Sequence, residues 1–390
     1  MSRLRYVTAG ESHGRALVGI LEGMPAGLSV TKEKIDAQLQ RRQGGYGRGS
    51  RMKIEHDQIE VLAGIRAGVT LGSPIALLIW NRDWENWGKH MEPWQAPPER
   101  YHAVTVPRPG HADLAGALKY RHADIRNVLE RASARETAMR VALGSIARQF
   151  LEYFGIEIAS HVVHIHTAKA SGEISELDLA ELTARADASP VRCLDAEAER
   201  AMIACIDQAK AEGNTVGGLF EVIATGVPVG LGSYVHWDRK LDGRISQAMA
   251  SLPAMKAVEI GLGVESAGRW GSECHDQIYY DQAKGYYRKT NRAGGLEGGV
   301  TNGEPLRVRV TMKPLSTLVR PLDSVDMQSK KSVKAHVERS DVCAVPAASV
   351  IGEAILALVL AEAFLEKYGG DSIAEIAERY HRETSQPSSW

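Results

Sequence analysis

Cysteine is scarce in this sequence, and so is any excess of charge of one sign. The four cysteines, Cys193, Cys205, Cys274 and Cys343, lie far apart and form no C-x-x-C pair. That spacing argues against a disulfide framework or a zinc site, and a reducing cytosol is the simplest compartment. Formal net charge is −1 over 390 residues, so no global field draws the chain to nucleic acid or an anionic membrane. Any basic site must be a local cluster. No long apolar run is free of charge either. The longest, VIGEAILALVLAEAFLEKYGG from Val350, carries Glu353 and Glu362 ahead of a charged end at Glu366 and Lys367, and carboxylates inside the run mark it as a buried helix instead of a membrane span. The opening MSRLRYVTAG lacks the apolar core of a signal peptide and the arginine and serine content of a transit peptide. These absences predict a soluble, cytoplasmic protein.

What is present is an ordinary globular composition, 44% hydrophobic and 24% charged. No linker-like or low-complexity stretch cuts the chain, so a single large α+β domain over residues 1–390 is expected. LRYVTA and RALVGILEGM read as short strands on either side of GESHG, residues 10–14. TKEKIDAQLQRR predicts a helix over 31–42 with Thr31 as N-cap. IEVLAG and IALLIW read as strands. Residues 81–110 hold Trp84, Trp87, Trp94 and five prolines without periodicity, which predicts a long ordered loop acting as an active-site lid. One helix is expected from about 124 to 154, ended by Gly155, then the strand IEIASHVVHIHTA. A helix over 195–212 and the strand LFEVIATGVPVGLGS follow. Next come a helix broken at Pro253, the strand KAVEIG and a stretch, NRAGGLEGGVTNGEP, too rich in glycine for a regular element. LRVRVTMKPLS is another strand, and helices from about Pro346 and Ser372 close the chain.

The chemistry-bearing residues sit beside glycine turns. Arginines gather at Arg41, Arg42, Arg48 and Arg51, at Arg108, at Arg131 and Arg135, and at Arg320 and Arg339. Arginine next to pliant backbone suits phosphate, because the guanidinium fork and nearby N–H groups both meet anionic oxygens. His13 in GESHG and His111 in RPGHAD are placed to serve as general acids for a leaving phosphate. Asp341, close after Arg339, is either a helix cap or an oriented base. In HVVHIH, His164 and His166 could share a strand face as metal ligands, but the spacing alone is a weak signal. GESHG also matches the G-x-S-x-G of a hydrolase elbow, with Ser12 as nucleophile. That reading lacks the helix expected after the turn, since RALVGILEG is strand-like. The Arg/Gly loop over 41–53 allows a further reading as an RNA-binding segment, which the near-zero net charge disfavours.

Assembled in order, GESHGRAL, RRQGGYGRGSRM, LGSPIAL, RPGHADLAGALKY, ERASARETAMRVA, DASPVR, GVPVGLGS, KAVEIG, TNRAGGLEGGVTNGEPLRVRV, MKPLST and RSDVCAVPAA resemble the chorismate synthase family nearly end to end. The resemblance implies an α+β fold with helices layered between antiparallel sheets, assembled as a homotetramer. It implies a lyase of the shikimate pathway that requires reduced FMN. The reaction would be a 1,4-anti elimination of phosphate from 5-enolpyruvylshikimate 3-phosphate, giving chorismate. Carried over by motif, His13 and His111 would be the catalytic histidines, one serving the phosphate and the other the flavin, in either order. Asp341 would assist proton movement, with Ser12 and Ser133 as supporting hydrogen-bonders. Arg131, Ala132, Ser133, Gly298, Lys313, Pro314, Leu315, Ser316, Thr317 and Arg339 match FMN-contacting positions, as do Pro253 and Ala254. Arg42 and Arg48 match positions linked to NADPH. Two departures stand out: Ala132 replaces a serine common in the family, and Pro253 removes a side-chain donor. HVVHIH belongs to no family motif.

Overall fold

A computed structural model describes residues 4–49, 54–95, 98, 101–171, 178–282, 285–338 and 340–384. Two antiparallel sheets flank its central helices, and helix Leu179–Ala188 covers part of the far face of the second. In the first, Arg5–Ala9, Ala16–Glu22, Ile75–Trp80 and Glu60–Ala63 are neighbours in that order. The second runs Met255–Ile260, Leu306–Met312, Gly218–Thr225, Glu157–Ile165 and Ala168–Lys169. Strand alternation explains the layering: Leu17 and Leu21 point inward to the core while Ile20 between them is exposed.

Two long helices fill the space between the sheets. Thr137–Tyr153 lies on the first sheet and Val345–Tyr368 on the second. Glycines set how closely these layers approach. A Cβ on Gly144 would sit 2.6 Å from the Ala354 Cβ, and one on Gly352 would meet the Phe220 ring at 2.7 Å. One continuous apolar core, from Leu4 to Ile376, joins both sheets and both helices, as the α+β expectation requires.

Val345–Tyr368 is long and apolar enough to cross a membrane, yet it lies buried inside the molecule. Glu353 explains its place. Its carboxylate accepts from Arg41 at 2.6 and 3.0 Å, from Arg148 at 2.6 Å and from Ser160 at 2.6 Å. Arg192 stands 3.4 Å away. Burial opposes ionisation of Glu353, but Arg41, Arg148 and Arg192 outweigh it and hold the carboxyl far below the usual range. Arg41, read from the sequence as a phosphate ligand, is therefore part of the interior.

Three local expectations change. The helix expected over 124–154 is broken into Arg126–Arg131, a single turn Ala134–Glu136 and Thr137–Tyr153. Ser133 causes the break: its backbone is extended and its hydroxyl accepts from Arg135 N, an alternative to helical bonding that serine offers readily. Thr31 is extended but makes no cap bond; its N–H and hydroxyl both donate to Gln149 Oε1, at 2.9 and 3.3 Å. The glycine-rich stretch contains a tight hairpin after all, Leu296–Glu297 against Val300–Thr301. Helices Asp113–Tyr120 and Leu179–Ala188 and the hairpin Ile278–Asp281/Gly285–Arg288 lacked a legible signal.

Candidate active site

GESHG connects two neighbouring strands of the first sheet. Gly10 is left-handed at φ 110°, and a Cβ there would strike the Ala16 carbonyl at 2.5 Å, so only glycine fits. Asn81 Nδ2 donates to the carbonyls of Glu11 (3.1 Å) and Gly14 (2.7 Å), while its Oδ1 accepts from Arg135 Nε at 2.9 Å. Glu130 holds the other side. Its carbonyl accepts from Ser12 N at 3.0 Å, and its carboxylate accepts from His13 N at 2.7 Å. The same carboxylate lies 2.9 Å from His13 Nδ1. Burial raises the Glu130 carboxyl, but its bonds to His13 and the charge of Arg126 bring it below the usual range. The ring of His13 stacks on Trp87, with centroids 4.3 Å apart.

RPGHAD builds a second, similar pair. Asp113 is the first residue of helix Asp113–Tyr120, and its Oδ1 lies 2.5 Å from His111 Nδ1. Arg108 donates to the other oxygen from Nε at 2.9 Å and also stands 3.0 Å from His111 Nδ1. Arginine can only donate, so Nδ1 cannot serve both neighbours; it donates to Asp113, and Arg108 serves the carboxylate. Burial opposes the charge on Asp113, yet His111 and Arg108 hold it well below the carboxylate range. Segment 313–317 is fastened to this turn. Arg108 Nη1 donates to Thr317 Oγ1 at 2.8 Å, Ser316 Oγ donates to the Gly110 carbonyl at 2.8 Å, and Lys313 Nζ donates to Ser316 Oγ at 2.9 Å. Burial and the nearby Lys256 push the Lys313 amine down.

Both histidines face one cavity of about 440 Å³. Its lining includes Arg42, Arg48, Arg108, Arg126, Arg135 and Lys313, six basic side chains against the three carboxylates Glu130, Glu338 and Asp341. Arg42 is buried, anchored on Thr137 Oγ1 at 3.1 Å and the Ala134 carbonyl at 2.9 Å. Burial, with Arg135 and Arg48 near, lowers it to about 10 although Asp57 opposes the shift. Asp341 Oδ1 accepts from Gly49 N at 2.6 Å, and Oδ2 stands 3.3 Å from Arg48. Leu252, Pro253, Ala254, Met312, Ala347 and Ile351 make an apolar wall. Such a concave site, cationic on one side and apolar on the other, suits a planar anionic ligand, with two imidazoles able to exchange protons through Nε2.

The comparisons agree along the whole chain. The chorismate synthase family model matches residues 4–365. The chorismate synthase of Desulforudis audaxviator is 58% identical over 379 residues, 97% of each chain. That of Moorella thermoacetica is 58% identical over 378 residues, 96% of this chain and 97% of that one. A crystal structure of chorismate synthase, 43% identical, aligns with a TM-score of 0.79 over 99% of both chains. The chain belongs to the chorismate synthase family. The family makes it an enzyme, a carbon–oxygen lyase of the shikimate pathway.

Most of the positions named through the chorismate synthase resemblance line this cavity. Ser12, His13, Ala132 and Ser133 come from the first turn and the helix break; Arg42, Arg48 and Asp341 from the Arg/Gly loop and the entry to the central helix. His111, Pro253, Ala254, Lys313, Leu315, Ser316 and Thr317 complete them. Three positions are not among its lining residues. Arg131 turns back to the first strand and donates to the carbonyls of Gly10 (3.1 Å) and Thr8 (2.7 Å). Gly298 lies in its hairpin loop at φ 62°, and Pro314 is passed over by the wall formed by its neighbours. Arg339, Arg51 and the rest of 50–53 lie outside the described residues.

Sequence reasoning missed Glu130, Asp113, Arg126 and Glu338. Asp113, two residues after His111, was the one with a local signal. The competing readings fail on geometry. Ser12 is buried, its Oγ lies 3.0 Å from Ser133 Oγ, and its turn leads into strand Ala16–Glu22 where an elbow needs a helix. Arg41 and Arg42, which the RNA reading needs at the surface, both point into the protein. In HVVHIH, His166 lies beyond strand Glu157–Ile165 in a left-handed turn at φ 53° and its carbonyl accepts from His164 Nε2, so the two rings do not share a strand face; no cluster able to hold a metal occurs among the described residues.

Proposed function

We propose that the chain converts 5-enolpyruvylshikimate 3-phosphate to chorismate and phosphate by a reduced-FMN-dependent 1,4-anti elimination. The observation that supports this most is the pairing of two carboxylate-bound histidines across one arginine-lined cavity. The C–O bond to phosphate breaks at one end of the allylic system, a C–H bond breaks at the other, and a second ring double bond forms. Substrate and product stand at the same oxidation level.

The residues present fit FMN. The apolar wall with Pro253 and Ala254 accepts a flat ring, while Ala132, Ser133 and Lys313–Thr317 offer polar atoms and a cation at its edge. Of the FMN positions named through the resemblance, Arg131, Gly298 and Pro314 do not line this cavity and Arg339 lies outside the described residues, so the fit rests on the others. Bound reduced FMN would supply electron density to the departing allylic phosphate and a place for the hydrogen removed. The protein's part is proton placement and charge. Protonated His13 and His111 neutralise negative charge in the cavity, one toward the phosphate and one toward the flavin. Asp341, held by Gly49 N and Arg48, accepts or relays a proton. Ser12 and Ser133 brace the first turn. Arg48 meets an anionic group of substrate or NADPH directly; Arg42, anchored behind it, adds positive field.

We further infer that NADPH serves as a reductant, that residues 81–110 act as a lid through Trp87, and that the enzyme is cytoplasmic with neither membrane nor nucleic acid as partner. A homotetramer is supported by the outer face of the first sheet, where Val7, Ile20, Leu62 and Trp80 are exposed, an apolar surface that association would cover. Anaerobic assay of phosphate release with chemically reduced FMN tests the function; no release under those conditions refutes it. Replacing the reductant by NADPH and oxidised FMN, without added reductase, tests whether this chain reduces its own flavin.

A further inference from the structure

We propose that Glu130 is a positioning residue that fixes the tautomer of His13, so that Nε2 is the nitrogen exchanging protons with the cavity. This rests on the acid–base reading of His13 given above. The geometry behind it is the double use of one carboxylate. Oε2 accepts the main-chain N–H of His13 at 2.7 Å, while Nδ1 of the same residue lies 2.9 Å from Oε1 and 3.1 Å from Oε2. An ionised carboxylate can only accept, so Nδ1 carries its proton in both the neutral and the cationic ring. Glu130 is only 2% exposed, and its carbonyl is bonded to Ser12 N, so it has little freedom to turn away. Trp87 covers one face of the imidazole.

Two carboxylates face the ring from opposite sides, and distance decides between them. Asp83 Oδ2 draws a proton toward His13 Nε2 but lies 3.8 Å away, beyond hydrogen-bond reach, whereas Glu130 stands 2.9 Å from Nδ1. Arg126 reaches Glu130 Oε1 at 3.3 Å, lies over the Trp87 ring at 4.8 Å and pairs with Glu338 at 3.0 Å. No cation is thus aimed at the imidazole itself from these groups; the arginine is directed to the carboxylate. Burial of Glu130 works against its charge, but His13 and Arg126 together keep the carboxyl depressed.

Glutamine at this position has a predictable consequence. An amide has one acceptor oxygen, whereas two N–H groups of His13 face this side chain. The main-chain N–H cannot give up its proton, so it keeps the oxygen, and the amide NH₂ takes the place of Oε1, the nearer neighbour of Nδ1 at 2.9 Å against 3.1 Å, where two facing N–H groups would repel. Glu130→Gln therefore inverts the tautomer: Nδ1 becomes an acceptor and the neutral ring holds its proton on Nε2.

The test is ¹⁵N NMR of the histidine ring nitrogens in the ligand-free protein, with the His13 signals assigned by their loss in His13→Gln. The neutral wild-type ring is expected to carry its proton on Nδ1, and Glu130→Gln to carry it on Nε2. In the phosphate-release assay Glu130→Gln should lose roughly 10²-fold or more in kcat, with KM within about threefold. A wild-type ring protonated on Nε2, a variant that keeps the proton on Nδ1, or a kcat within about threefold overturns the proposal. Should Glu130→Gln fail to fold, the wild-type spectrum decides alone. Absence of lyase activity in the wild type would refute the proposed reaction and leave the spectrum unchanged, so the two failures are distinct.

Discussion

His111 Nδ1 lies 2.5 Å from Asp113 Oδ1, and the other oxygen of that carboxylate accepts from Arg108 N at 3.0 Å and Arg108 Nε at 2.9 Å. The carboxylate thus orients an imidazole and anchors an arginine at once. Asp113→Asn leaves the shape but removes the charge that both partners need. The expected result is a kcat lower by roughly 10²-fold or more and a loss of about 3 kcal/mol in stability. Steady-state kinetics beside urea denaturation separates the two effects. Unchanged kcat would remove the pair from the mechanism.

Acid should unfold the protein through its interior carboxylates. Glu353 and Asp113 are depressed far below the usual range, and Glu221 to about 2. In each case burial opposes the charge, and arginine or histidine partners outweigh it. Folded values below unfolded ones mean the stabilisation is complete above roughly pH 5, where the unfolded chain is ionised as well. It is lost as pH falls through the folded values. Urea midpoints should therefore be flat from about pH 7 to 5 and drop steeply below about pH 4. Glu353→Gln should cost roughly 3–5 kcal/mol at pH 7, because Arg41, Arg148 and Arg192 lose their counter-charge, and should flatten the acid limb. A variant as stable as wild type would contradict the interior ion cluster.

Much of this was legible in the sequence. The strands around GESHG, the strand IALLIW and the buried character of the Val345–Tyr368 helix follow from periodicity and from Glu353 in an apolar run. GESHG and RPGHAD announced both histidines by their glycines. Their partners were less visible. Glu130 sits on a helix 117 residues away in sequence from His13, and only the fold brings the two together. The break at Ser133 is hidden in the sequence because apolar residues keep helical spacing on both sides of it, so the segment reads as one helix. Arg41 misled for a similar reason: a surface arginine and one neutralising a buried glutamate look alike until Val345–Tyr368 is placed.

Trp87 stacks on His13 with rings 27° from parallel, and the lid role proposed for its segment would make that contact matter for turnover. Trp87→Phe preserves an aromatic face, whereas Trp87→Ala removes it. A stacked pair contributes about 0.5–1.5 kcal/mol, so Trp87→Ala should lower kcat/KM by roughly 2- to 10-fold and Trp87→Phe by less. Equal activity in both variants would deny the contact any role.

Ser12 separates the lyase from the hydrolase reading. Its hydroxyl lies beside Ser133 Oγ at 3.0 Å, and losing one such bond costs about 0.5–1.5 kcal/mol. Ser12→Ala should retain phosphate-release activity within roughly tenfold. Complete loss in a folded variant would contradict its supporting role.

The proposed reaction is a redox-neutral elimination in which two histidines of one cavity place the protons. The most direct measurement follows phosphate, chorismate and the flavin spectrum together under anaerobic conditions, with 5-enolpyruvylshikimate 3-phosphate and reduced FMN. Phosphate and chorismate should form in equal amounts with no net oxidation of the flavin, and turnover should fall by roughly 10²-fold or more in His13→Ala and in His111→Ala. Net flavin oxidation matching phosphate release, or full activity in either histidine variant, would contradict the proposed reaction.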